Sequence, residues 1–113
     1  NDPRVFKVGR KIVRKIKDMG KIFLLSNEQL SFINSNGQEY DFQKTEWGYY
    51  ATSSINNRMV KEGFKTALTI NKQNRVFILA VEFDKLKIFE SYCNDNDLRV
   101  IHWLDEKYKL IVK

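Results

Sequence analysis

Val5, Val8, Ile12, Ile16 and Met19 recur at spacings of three and four, which places them on one face of an amphipathic helix over residues 3–19. Asp2 suits the N-cap of that helix, Pro3 its first turn and Gly20 its end. The same stretch admits a rival reading as two strands, 4–8 and 11–16, broken at Gly9, which its β-branched residues and internal glycine favour. The helix is the reading taken forward, and residues 1–21 are expected to pack on the rest of the chain.

Alternation takes over downstream. Leu30, Phe32, Tyr40 and Phe42 alternate with polar neighbours around Ser35-Asn36-Gly37, a turn sequence that tolerates positive φ, so a hairpin is expected here. The apolar run 21–26 adds a short strand before it, and the aromatic cluster Trp47-Gly48-Tyr49-Tyr50 follows it. Ser53 or Ser54 can cap a helix running to about Glu62, with Ile55 and Met59 inward and Gly63 at its end. A second hairpin pairs 64–70 with 75–81 through Asn71-Lys72-Gln73-Asn74. Its return strand is apolar on both faces, which predicts a central place in a sheet. Asp84 opens a third helix with Leu86, Phe89 and Cys93 on one face, broken by Asn94-Asp95-Asn96-Asp97. Residues 98–104 alternate as a strand, with 108–112 as its expected hairpin partner. The sum is an α+β chain: antiparallel hairpins forming a sheet, two or three helices packed on one face, and a single two-layer domain over residues 1–113.

Composition narrows the class. Apolar residues make up 42% and aromatics 13% of the 113 residues, enough for one core and too short a chain for two. One cysteine excludes an internal disulfide framework and suits a cytoplasmic, reducing setting. The longest apolar run, 76–81, is far short of the roughly 20 residues a membrane helix needs, and no signal peptide opens the sequence, so no membrane span is expected.

Charge is the least even feature. The net charge is +6, and residues 1–21 hold eight cations against only Asp2 and Asp18, while the other 92 residues carry twelve charges of each sign. A helix there would present Lys7, Arg10, Lys11, Arg14, Lys15 and Lys17 as a cationic surface, a candidate contact for nucleic acid, another polyanion or an acidic protein partner.

Catalytic patterns are missing: no phosphate-binding glycine loop, no GxSxG elbow, no HExxH. Cys93 and His102 are the one possible thiol–imidazole pair; Cys93 reads as a buried small hydrophobe and His102 as a strand histidine satisfied by a local hydrogen bond. The single His and single Cys leave no zinc ligand set of the usual kind, and the Asp95 and Asp97 pair lacks the glycine and distant glutamate of a calcium loop. No cofactor or metal is expected. Residues 47–58 form the best small-molecule candidate: Ser53 and Ser54 at a helix start, with Asn57 and Arg58, for an anion, and Trp47, Tyr49 and Tyr50 to stack a ring. The leading expectation is a non-enzymatic binding module for nucleic acid. The alternatives are an enzyme or accessory protein that binds an anionic nucleotide or acidic sugar at residues 53–58, and a subunit that docks an acidic protein.

Overall fold

A computed structural model describes residues 3–9 and 11–106. Arg10 and the expected strand 108–112 lie outside the described residues. The described residues form eight strands in three small sheets and one helix longer than a single turn.

β1 (Arg4–Val8) and β2 (Arg14–Asp18) make a two-stranded antiparallel hairpin, with Arg4 opposite Asp18 and Phe6 opposite Ile16. The helix expected over 3–19 is therefore absent. Val5, Val8, Val13 and Ile16 lose rotamer freedom in a helix and not in a strand. Gly9 supplies the decisive break: its φ of +113° is open to glycine, and a Cβ there would collide with the Ile12 carbonyl.

β3 (Gln29–Ile33), β4 (Glu39–Thr45) and β5 (Gly48–Tyr50) form a meander, joined between β3 and β4 by the anticipated Asn36-Gly37 turn. Within that turn the Gly37 N–H donates to the Asn34 carbonyl. Residues 21–26, expected as a strand, form none and end in a turn at Ser26.

The third sheet runs β7 (Val76–Glu82), β6 (Phe64–Ile70), β8 (Arg99–Trp103), all antiparallel, with a register shift between Leu68 and Thr69 against β8. β6 is the central strand. β7, expected at the centre because of its apolar sequence, is an edge strand among the described residues and mostly exposed. α2 (Leu86–Asp95) covers one side of β7 and follows a short 3-10 turn at Phe83–Lys85 holding Asp84. Phe89 of α2 meets Trp103 of β8 edge-on at 5.8 Å.

α1 (Arg58–Lys61) is one turn long rather than the helix expected from residue 53. The Ser54 hydroxyl still accepts the Arg58 N–H at 2.9 Å, but Asn57, at φ −132° and ψ −81°, is not helical. The two-layer arrangement with two or three helices on one sheet face is thus overturned: strands account for 43% of the structure, helices for 17%, and one helix has seven or more residues.

The core is small: Met59, Phe64, Ala67, Val81 and Cys93, with Thr66 and Thr69. Phe64 also meets Tyr40 edge-on at 6.0 Å, which seats the meander against the start of β6. Among the described residues, large apolar side chains such as Met19, Phe23, Ile33 and Ile88 are exposed. Much apolar side-chain surface is left facing out.

Candidate functional site

Cross-strand pairing sorts the opening cations by face, because residues directly opposed in an antiparallel pair point to the same side. Arg4, Phe6, Val8, Arg14, Ile16 and Asp18 share one face; Val5, Lys7, Lys15 and Lys17 share the other. The first face holds every half-buried residue of the hairpin, Val8, Ile16 and Asp18. Its charges are in use. Arg4 forms an ion pair with Asp18 at 3.1 Å and lies over the Phe6 ring, and the Arg14 guanidinium lies 5.0 Å from the centre of the Tyr92 ring of α2.

The tip of the hairpin is fastened to the C-terminal end of α2. The Lys11 N–H donates to the Asp95 carbonyl at 3.4 Å, its ammonium to the Asn94 carbonyl at 3.2 Å, and the same ammonium stands 3.7 Å from the Asp97 carboxylate. Lys72 of the β6–β7 turn approaches that carboxylate at 3.6 Å. The C-terminus of a helix carries partial negative charge, so a cation is well placed there.

The second face is different. Lys7, Lys15 and Lys17 are all exposed, and among the described residues no side-chain ion pair or hydrogen bond is made by any of the three. Lys7 lies directly opposite Lys15. Opposed residues have Cβ atoms about 5 Å apart, and like charges there oppose pairing. The six cations expected on one helical surface are accordingly divided: three on the open strand face, Arg14 on the packed face, Lys11 in the connection, and Arg10 outside the described residues.

The second candidate region is likewise dispersed. Trp47 sits in the β4–β5 turn, 76% exposed. Tyr49 and Tyr50 are exposed on β5, Tyr49 against Phe42 at 6.1 Å and beneath the Lys44 ammonium at 5.3 Å. Ser53 lies in the bend before α1, Ser54 caps Arg58, and Asn57 is exposed and accepts the Lys61 N–H at its carbonyl. The Arg58 guanidinium reaches across to β4, 3.2 Å from Glu39 and 3.4 Å from Asp41. Its charge is thus shared between two carboxylates of one strand face. The hydrogen bond with Asp41 and the charge on Asp41 push the Glu39 carboxyl up, whereas the Ser31 hydroxyl, 2.6 Å away, holds the Asp41 carboxyl below its ordinary value.

Residue patterns alone did not point to Glu39 and Asp41, nor to the link between Lys65 and Asp105, where the ammonium and carboxylate stand 2.9 Å apart and Asp105 also takes the Thr66 N–H. The sign available in sequence for the first pair was i, i+2 acidic spacing on a strand. Nothing local signals the second.

Cys93 is buried, and burial first, then the nearby Glu90 carboxylate, pushes its thiol up, opposite to what a nucleophile needs. A cleft of about 230 Å³ lies between the hairpin, the β6–β7 turn and α2, lined by Phe77, Leu79, Tyr92 and Leu98 with the amides of Asn71 and Asn96. None of the described residues lining it is a carboxylate, imidazole, amine or thiol. Among the described residues no group of three or more His, Cys, Asp or Glu side chains is placed to hold a metal ion, and no helix is long and apolar enough to cross a membrane. Comparison with protein-family models, curated proteins and solved structures finds no match to this chain.

Proposed function

We propose that this protein is a nucleic-acid-binding module of the cytoplasm that contacts the phosphate backbone through the Lys7, Lys15 and Lys17 face of the β1–β2 hairpin. The observation that carries the reading is the direct opposition of Lys7 and Lys15, exposed and without a counter-charge among the described residues. Such an arrangement costs pairing energy in the free protein, and a polyanion laid along the face relieves it. The packing of Arg14 on Tyr92 and the attachment of Lys11 to α2 support the reading in a second way, since they hold the hairpin in a fixed direction. The exposed Trp47 and Tyr49 rings offer stacking surfaces for unpaired bases, which favours single-stranded nucleic acid over duplex.

Fluorescence anisotropy with labelled oligonucleotides across a salt series tests the proposal. Three neutralised phosphates give a slope of log K against log salt of about −2 for single strands and about −3 for duplex. The triple variant Lys7→Gln, Lys15→Gln, Lys17→Gln should flatten the slope by that amount. Lys11→Gln, whose ammonium is already engaged, should leave it unchanged. Absence of binding at low salt overturns the proposal, as does a slope that survives the triple change.

A further inference from the structure

We infer that β7 is a homodimerisation edge, and that two copies of this chain join β7 to β7 antiparallel into one continuous six-stranded sheet. This goes beyond the nucleic-acid reading and does not depend on it.

β7 has none of the features that usually blunt a sheet edge. Residues 76–81 read Val-Phe-Ile-Leu-Ala-Val, with no charge, proline or glycine, and the strand pairs with β6 without a bulge over seven residues. Val76 and Ile78 are 55% and 59% exposed on the same side of the strand. The opposite edge of the sheet differs: β8 is shorter, carries the register shift, and begins at Arg99.

The free hydrogen-bonding groups can be assigned. The Asn71 N–H donates to the Arg75 carbonyl and the Phe83 N–H to the Gly63 carbonyl. These two pairs bracket the β6–β7 ladder, and in an antiparallel ladder such hydrogen-bonded pairs alternate with non-bonded ones. Phe77, Leu79 and Val81 therefore direct their backbone groups to β6, and Val76, Ile78, Ala80 and Glu82 direct theirs outward. Among the described residues that leaves a row of four N–H and four C=O groups without a neighbouring strand, and another strand would pair them.

A second copy fits this edge. The two charges bounding the strand have opposite sign, Arg75 before it and Glu82 at its end. Antiparallel pairing about Leu79 sets Val76 of each copy opposite Glu82 of the other and Arg75 opposite Phe83, so the charges at each end lie on opposite faces of the joined sheet and no like charges meet, whereas parallel pairing would set like beside like. Ile78 then faces Ala80 of the second copy, large against small, and Phe77 faces Val81. Outward-directed residues meet outward-directed residues, so every group in the row gains a partner. Among the described residues, the edges left after this pairing are the two copies of the shorter, bulged β8, so the two-fold axis closes the assembly.

Sedimentation velocity on the full chain, from low micromolar to several hundred micromolar, should show conversion to a species of twice 13.4 kDa. Amide exchange at high concentration should then find the Val76, Ile78, Ala80 and Glu82 amides protected, about a hundredfold or more slower than in a monomeric variant. Ile78→Lys places a charge in the seam and should abolish the dimer. Ile78→Pro removes an outward N–H, leaves the β6 ladder its full set of bonds, and should do the same. A chain that stays monomeric at every concentration overturns the inference. So does a dimer whose four outward amides exchange as fast as in the Ile78→Lys variant, or one that both variants leave intact.

Discussion

Asp105 ends the pairing of β6 with β8, and its removal should be among the costlier single changes outside the apolar core. One carboxylate oxygen accepts the Lys65 ammonium at 2.9 Å and the other the Thr66 N–H at 2.9 Å. The Asp105 and Lys65 side chains are 7% and 19% exposed, and the Lys65 ammonium also lies 4.9 Å from the centre of the Trp103 ring. Asp105→Ala deletes a hydrogen bond to a charged acceptor, a loss of about 1.5–3 kcal/mol. It also leaves Lys65 without its carboxylate, although the lysine keeps some water and the indole face, so the full 3–5 kcal/mol of a broken buried pair is too much. We expect about 2–3 kcal/mol by urea unfolding with an unchanged m-value. Asp105→Asn keeps an acceptor for Thr66 and should cost about 1 kcal/mol. Burial alone would push the Asp105 carboxyl up; the hydrogen bonds from Lys65 and from the Thr66 N–H outweigh it and hold the carboxyl below its ordinary value. A carboxyl lower in the folded than in the unfolded chain stabilises the fold above the unfolded pKa of about 3.9, and that stabilisation drains away as pH falls through the folded value. Wild type and Asp105→Asn should therefore differ at neutral pH and converge in strong acid. An Asp105→Ala chain within about 0.5 kcal/mol of wild type would refute this reasoning.

Met59 is fully buried against β6, and Met59→Ala should cost about 2–4 kcal/mol in the same assay. Cys93 should resist a thiol reagent in the native chain and label only on unfolding, and Cys93→Ser should cost about 1–2 kcal/mol because a hydroxyl replaces a buried thiol. Arg58→Ala should lower the melting temperature slightly at neutral pH and less in mild acid, where Glu39, whose carboxyl is already raised by Asp41, takes up a proton and the repulsion between the two carboxylates ends. A larger effect in acid than at neutral pH would contradict that account.

The opening segment shows how a residue pattern can be read twice. Apolar residues at 5, 8, 12 and 16 satisfy helical spacing, yet Phe6, Val8 and Ile16 also satisfy two-residue alternation on either side of a turn. Backbone sterics at Gly9 and the β-branched side chains settle it for the hairpin. The candidate site changes with that choice: a helix would have gathered six cations, and the hairpin gathers Lys7, Lys15 and Lys17. At residues 53–58 the hydroxyl cap was visible in the sequence, and Ser54 does take the Arg58 N–H. The direction of the Arg58 side chain was not, because Glu39 and Asp41 come from a strand 17–19 residues earlier.

Local chemistry by itself determined the punctuation of the chain. Asn36-Gly37 turns the first meander, Asn71 to Asn74 turns β6 into β7, Gly63 at φ +92° ends α1, and Asp97 at φ +53° follows α2. Each of these is a residue whose own backbone preferences suffice. The strands 64–70 and 76–82 and the helix at 86–95 follow from the same short-range rules. Only the tertiary structure decided that β6 is central and β7 an edge, because Val-Phe-Ile-Leu-Ala-Val has the same apolar character wherever it stands. A strand is buried by what pairs on both its sides, and its own side chains do not specify that second neighbour. The three-lysine face is of the same kind: Lys7 and Lys15 are eight residues apart in sequence, and they meet because a turn folds one strand back on the other.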